Sequence, residues 1–441
     1  MDGRNRTTFY KMMRHNKFLF IAISICLIIS VGHIIKSSSL ILLGIISFLS
    51  LILFLRNIDK ITMLFFFLPW NGIIKLSPES NSFYGFAIIL TVLSLIFFKY
   101  SINKKSVMNL IIFVFYTIIV KLFFYDNFSF RFLIIVLNIL LILYLSQNQK
   151  ELINSHKIII FFSIGTLLAN ITGNFLAKLP HLYLFFKDSE YSLTNDWGIF
   201  RLSGFNGDPN RNALQILFAI SVLLLYKTKS VKDSLLKYIT LFALIYYGML
   251  TVSKMFYIIL ILLSILYSFL MFFTKQKRIA KFLYFISGGV FFLIIFYNGL
   301  LDSQIDMLFD RIDRNEEFGI TTGRLYLQLS YLQYIVDNIQ LIFVGRGFLT
   351  AYTPTYSVAH NSFIQMFFGL GFIGTFLYLK NILAFEVASI LKSFTNTILF
   401  SMPFLVLVFS CFALDLLSFD SFYFYIILLI VVNNYLTPLK N

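Results

Sequence analysis

The chain has 441 residues, 59% of them hydrophobic and 13% charged, with a mean hydropathy of +0.84. Soluble domains carry about 25% charged residues, so this composition excludes a chain that covers itself with a water-facing surface. The formal charge of +16 is spread over short connections instead of forming one face, which argues against a nucleic-acid binder.

Apolar runs long enough for ~30 Å of hydrocarbon recur along the whole length. They run to about 16–20 residues and are not alternating ten-residue segments, which predicts helices and not a barrel. Expected spans lie near 18–35, 39–55, 61–76, 83–98, 106–125, 128–146, 158–178, 211–226, 238–251, 255–273, 282–299, 361–379, 396–414 and 421–436. The third is short and holds Pro69-Trp70-Asn71-Gly72, a pattern for a kinked or re-entrant helix. The fold class expected is an all-α polytopic membrane bundle of about 12–14 transmembrane helices, one domain over residues 1–441. Met1 to Lys17 is basic and Phe18 to Ile35 apolar, with no small-residue cleavage site after it, so a retained first helix is expected and not a signal peptide. Cys26 and Cys411 each stand alone inside apolar runs and read as small core residues.

Charge predicts orientation. With the N-terminus in the cytoplasm and loops counted alternately, the inner side holds roughly 23 Lys and Arg against 5 acids, and the outer side roughly 13 against 15. Both termini are then cytoplasmic, and two long loops, about 179–210 and 300–360, share the outer, periplasmic face. Long loops are usually functional.

In the first long loop, Arg201-Leu-Ser-Gly204 is followed by Gly207-Asp208-Pro209-Asn210-Arg211. The glycines permit a tight turn. Asp208 then Pro209 reads as an N-cap followed by proline at the first helical position. The loop thus delivers Arg201 and Arg211 to the outer start of a membrane helix, where arginine forks and helix N-termini favour phosphate oxygens. Lys254, after Thr251-Val-Ser253, sits at another outer helix boundary; it either snorkels or helps hold phosphates.

The second loop opens with Asp302, Asp306, Asp310, Asp313 and Glu317 on one helical face, opposite Ile305, Leu308, Phe309 and Ile312. That acidic row is either a solvated face or a divalent-cation site. A second helix is expected from an N-cap at Thr321 or Thr322 to Asn338, with Arg324, Gln328 and Tyr331 sharing its polar face. Arg324 and Arg346 stand beside glycines and need anionic partners, either an internal acid such as Asp337 or a substrate phosphate. His360-Asn361 closes the loop at the mouth of an apolar helix, where a neutral imidazole can accept a proton from an attacking hydroxyl. There is no Ser-His-Asp order, no His-Glu-x-x-His and no nucleotide-binding glycine motif.

His360-Asn361, nine residues, Gly371, two residues, Gly374 resembles the signature of the O-antigen ligase and polymerase superfamily. Arg201-x-x-Gly204 with Pro209-Asn210, Gly323-Arg324 and Gly345-Arg346-Gly347 resemble its other outer-loop features, over about 200–375. The resemblance implies a GT-C-like inner-membrane glycosyltransferase with a periplasmic site and no cofactor or metal. Its donor would be an undecaprenyl-pyrophosphate-linked glycan, and a polysaccharide chain-length regulator a further partner beside membrane lipids. It makes His360 the base and Arg324 and Arg201 the donor-pyrophosphate residues. Arg211, Arg346, Asn210, Asn361, Lys254 and Tyr331 follow as substrate-binding candidates. Relatives often show Ser-Arg where this chain has Ser253-Lys254, and Lys loses the bidentate fork. A polymerase differs from a ligase in its acceptor, a lipid-linked repeat unit instead of lipid A-core. A flippase for the same lipid-linked oligosaccharide would need charges along a central cavity and short outer loops. A structural subunit would tolerate loss of His360 and Arg324.

Overall fold

The structure is a computed structural model. It describes residues 3–97, 102–148, 155–186, 201–228, 230–273, 324–355, 357–385 and 388–437, with isolated positions at 297, 299, 302 and 306. Among the described residues every regular element is helical. In chain order they are α1 (Gly3–Ile34), α2 (Ser38–Phe54), α3 (Asn57–Phe67), α4 (Tyr84–Phe97), α5 (Lys104–Phe123), α6 (Phe130–Gln147), α7 (Ser155–Leu176), α8 (Pro209–Leu225), α9 (Val231–Met249), α10 (Lys254–Phe273), α11 (Arg324–Asp337), α12 (Gln340–Val344), α13 (Ser362–Ile382), α14 (Ala388–Leu391), α15 (Phe394–Ala413) and α16 (Asp420–Leu436). Short polar residues start several of them. Ser37, Asn103, Ser230 and Ser393 each accept a backbone N–H from the first turn of the helix that follows.

Among the described residues six helices are long and apolar enough to cross a membrane: Lys17–Ile34 within α1, then α5, α6, α7, α13 and α15. Five shorter apolar helices, α2, α4, α8, α10 and α16, stand among them. This is the architecture of a polytopic helical membrane protein. Most of the expected span at 282–299 and most of the acidic row from Asp302 to Glu317 lie outside the described residues. The expected span at 61–76 is an 11-residue helix, a 3-10 turn at Leu68–Trp70 and irregular chain after it. That broken segment still reaches the far end of the bundle. There the imidazole Nε2 of His33, at the end of α1, lies 3.1 Å from the Ile73 carbonyl. His181 Nε2 lies 3.0 Å from the carbonyl of Ile34.

The centre of the bundle is α8 and α16, apolar on nearly every side and buried almost throughout. Phe218 of α8 stacks on Tyr425 of α16 with ring centroids 4.1 Å apart. Aromatics dominate the surrounding packing: Trp70 meets Phe205 at 5.3 Å and Phe65 meets Phe424 at 5.3 Å. The Trp70–Phe205 contact fastens the first long loop onto the core.

α13 carries the glycines of the His360 signature, and the structure gives them a job. Gly371 has φ +58 inside the helix, so the helix breaks there and releases carbonyls. The backbone N–H groups of Arg346 and Gly347 donate to Phe368 and Gly369, at 2.8 and 2.9 Å. The Tyr116 hydroxyl bridges the carbonyls of Val344 (2.7 Å) and Leu370 (2.8 Å). A Cβ at Gly374 would stand 2.4 Å from the Tyr116 ring. The Gly345-Arg346-Gly347 segment is thereby sewn along the broken helix. Tyr116→Phe strips the shared hydroxyl donor from both carbonyls and is expected to cost about 1–3 kcal/mol of stability, read as a lower thermal midpoint in detergent.

Candidate active site

The start of α8 is built as its residues dictate. Gly204 and Gly207 take φ +54 and +73, which turns the chain sharply ahead of the helix. The Asp208 carboxylate then accepts the backbone N–H groups of Asn210 (2.6 Å) and Arg211 (3.1 Å), with Pro209 in the first turn. Below this cap Asn212 donates to Asn170 of α7 at 2.7 Å. Alongside, the loop is stitched to the turn between α9 and α10. Leu202 N–H donates to the Leu250 carbonyl (2.9 Å) and the Arg201 guanidinium to the Thr251 carbonyl (3.1 Å). The Ser253 hydroxyl donates to the Asn210 amide oxygen at 2.8 Å. Arg201, Asn210 and the segment leading into Lys254 therefore form one structural unit.

The start of α13 faces it. Asn361 caps the helix, its side-chain oxygen accepting from Phe363 (3.0 Å) and Ile364 (3.2 Å). His360, just before the cap, sits at φ +48, a conformation that non-glycine residues adopt seldom and that clusters at functional sites. Ser362 donates to the Leu414 carbonyl (2.7 Å) and accepts the Leu416 N–H (3.0 Å). The mouth of α13 is thus clamped to the connection between α15 and α16. Arg324, at the start of α11, donates to the Ala413 carbonyl beside this clamp, at 3.2 Å. The Phe419 ring lies 3.7 Å from the Arg211 guanidinium and 5.8 Å from that of Arg131. At that separation the Arg211 contact is a cation–π interaction.

Electrostatics tie these pieces together. Burial holds the His360 imidazole below its usual 6.5; Arg324 and Arg211 push in the same direction and Asp208 opposes them. Its Nε2 lies 3.5 Å from the Ser357 hydroxyl. His360 is therefore neutral at neutral pH, the form a proton acceptor needs. Burial also draws Arg324 below the ordinary arginine value while Asp208 supports its charge, and the guanidinium stays cationic. One neutral imidazole, two cationic guanidinium groups and a capping carboxylate thus act on one another across the two helix mouths.

The remaining sequence candidates separate. The Arg201 guanidinium is directed at the turn between α9 and α10, on the Thr251 carbonyl. The Arg346 guanidinium lies over Phe124 (4.3 Å) and Tyr352 (5.0 Å), and its Nη1 is buried without a hydrogen-bond partner among the described residues. Tyr331 is fully buried instead of lying on an open polar face. Its hydroxyl donates to the Ser357 carbonyl at 3.3 Å, one residue pair away from the imidazole, so it props the His360 turn. The expected polar face of α11, Arg324, Gln328 and Tyr331, is turned toward the protein. Asn361 spends its oxygen on the helix cap.

Asp415, Phe419 and Arg131 escape a reading along the chain: the first two come from a short connection and the third from the first turn of α6, and neither place looks unusual in sequence. One signal was present: Asp415 and Asp420 are the only acids after Glu386, five residues apart between the last two apolar runs. Asp415 Oδ1 is buried with no hydrogen-bond partner among the described residues. Burial raises its carboxyl to about 6, against the Leu417 N–H and the charges of Arg211 and Arg131, which lower it. A raised carboxylate binds its proton more readily in the folded state than in the unfolded chain. Its contribution to stability is therefore full below about pH 4 and lost as pH rises through 6. Asp415→Asn is expected to raise the thermal midpoint at pH 7, with the difference vanishing near pH 4.

Comparison of the chain with models of known families, with curated proteins and with solved structures finds no match. Fold and site together define a polytopic helical membrane protein with an arginine–histidine cluster at one end of its bundle.

Proposed function

We propose that this protein is a polysaccharide repeat-unit polymerase of O-antigen or capsule type, acting on the periplasmic side of a bacterial inner membrane. It transfers an undecaprenyl-pyrophosphate-linked glycan chain to a hydroxyl of an incoming lipid-linked repeat unit. The observation that carries this reading is the neutral His360 held in charge range of Arg324 and Arg211 at the paired mouths of α8 and α13. The acceptor oxygen attacks the anomeric carbon as the carbon–oxygen bond to phosphate breaks. The bonding pair leaves on the pyrophosphate, beside the guanidinium groups, and the hydroxyl proton passes to the imidazole and then to water. Attack from the face opposite the leaving group inverts the anomeric centre. Preorganised cations at the developing charge are typically worth ~10²–10³ in rate and a positioned base ~10²–10⁴.

The test is transfer by purified protein in bilayers, given a defined lipid-linked repeat unit with and without chelator. Longer lipid-linked products, unaffected by chelator, support the reading; no elongation with intact protein defeats it. In cells, deletion is expected to leave single repeat units on the lipid A-core. A bare core would instead assign the ligase reaction, and repeat units trapped on the cytoplasmic face a flippase.

A further inference from the structure

α11 carries three distinct faces along one short helix. At about 100° per residue, Leu325, Leu329, Leu332 and Val336 fall within an arc of about 60°. Those four side chains are 51%, 54%, 42% and 66% exposed. A second arc, next to it, carries Tyr326, Ser330, Gln333 and Asp337, with Gln333 donating to Asp337 at 2.8 Å on the surface. The third arc is Arg324, Leu327, Tyr331 and Ile335, turned inward on α13 and its loop. Water on both outer faces would leave four large aliphatic side chains wet side by side. Lipid on both would strand an aspartate. A helix with a protein face, an apolar face and a polar face fits the boundary where bilayer, water and protein meet.

The apolar arc continues an existing lipid-facing surface. Leu122 and Phe123, both exposed, end the membrane helix α5, and the next residue, Phe124, packs into the same small cluster as Tyr331 and Ile335. On the other side Phe363 of α13 and Phe412 of α15, both exposed, pair at 4.8 Å. Ile339 and Phe343, after α11, are further large exposed apolar side chains. Tyr326, exposed on the polar arc, is the residue type enriched at membrane–water interfaces.

We infer that α11 lies in the plane of the membrane surface, its Leu325–Leu329–Leu332–Val336 face seated on the acyl chains of the bilayer. The lipid surface then helps hold Arg324 at the site, and the helix forms a wall through which a lipid-borne molecule can approach sideways. The inference rests on the membrane assignment and not on the transfer chemistry, so the two can fail separately.

The test is spin-label accessibility in phospholipid nanodiscs, in the full chain with Cys26→Ala and Cys411→Ala. Single labels are placed at Leu329→Cys, Val336→Cys and, for the polar face, Gln333→Cys. All three positions are exposed, and gel filtration confirms that labelled protein remains folded. Labels at 329 and 336 are expected to collide more with dissolved oxygen than with a water-soluble nickel chelate, and the label at 333 the reverse. Preference for the nickel chelate at 329 and 336 would place this face in water and overturn the inference. Shielding from both reagents would mean that another part of the chain or a second copy covers it, and would overturn it equally.

Discussion

His360→Ala is expected to abolish long-chain polymer while protein level and membrane insertion stay normal. A positioned base is worth ~10²–10⁴ in rate, so at the lower bound a trace of short products persists and at the upper bound none is visible. The measurement is a polysaccharide ladder from cells alongside an immunoblot of the membrane fraction. A near-wild-type ladder would remove the imidazole from the mechanism. The pH profile gives an independent check. Burial and the two arginines hold the His360 pKa below 6.5, so the base remains neutral down to a lower pH than a free imidazole would. The acid limb of transfer by the wild-type protein is therefore expected below pH 6.5. His360→Ala should lose that limb along with the rate.

Arg324→Ala carries the second large effect. Loss of one preorganised charge at the leaving group is expected to cost ~10²–10³ in rate, about 3–4 kcal/mol. Two further readouts separate this from simple unfolding. Arg324 is the strongest charged influence lowering the His360 pKa, so its removal should move the acid limb of the residual activity to higher pH. Arg324→Lys keeps a charge but loses the planar fork and the reach to the Ala413 carbonyl, and should fall between wild type and Ala. An unshifted acid limb in Arg324→Ala would show that the guanidinium does not act on the imidazole at all. Wild-type rates in both variants would sever Arg324 from the chemistry.

Much of this protein is legible along the chain because its constraints are local. A run of apolar residues must be helical in hydrocarbon whatever packs against it, since its backbone groups have no other partners. Nearly every expected span within the described residues coincides with a helix for that reason. Local too are the Asp208 cap with Pro209 after it, the glycine turn before it, and the Asn361 cap of α13. The paired glycines after His360 were visible as a motif, but their reason was not. Gly371 breaks the helix and Gly374 admits Tyr116, a residue over 250 positions earlier, and no spacing rule connects them.

Composition, hydropathy and the caps thus determined an all-helical membrane chain and pointed to the two helix mouths at which polar chemistry gathers. Tertiary structure alone decided which cations meet the imidazole. It set Arg324 and Arg211 in charge range of His360, put the Arg201 guanidinium on the Thr251 carbonyl and laid Arg346 over Phe124 and Tyr352. It also brought in Asp415 and Phe419 from a connection, and Arg131 from the start of α6, places that no motif marks. The reason is that a long cationic side chain has several carbonyls, rings and carboxylates within reach. The choice among them depends on how distant helices cross, which the residues adjacent to it in the chain do not encode.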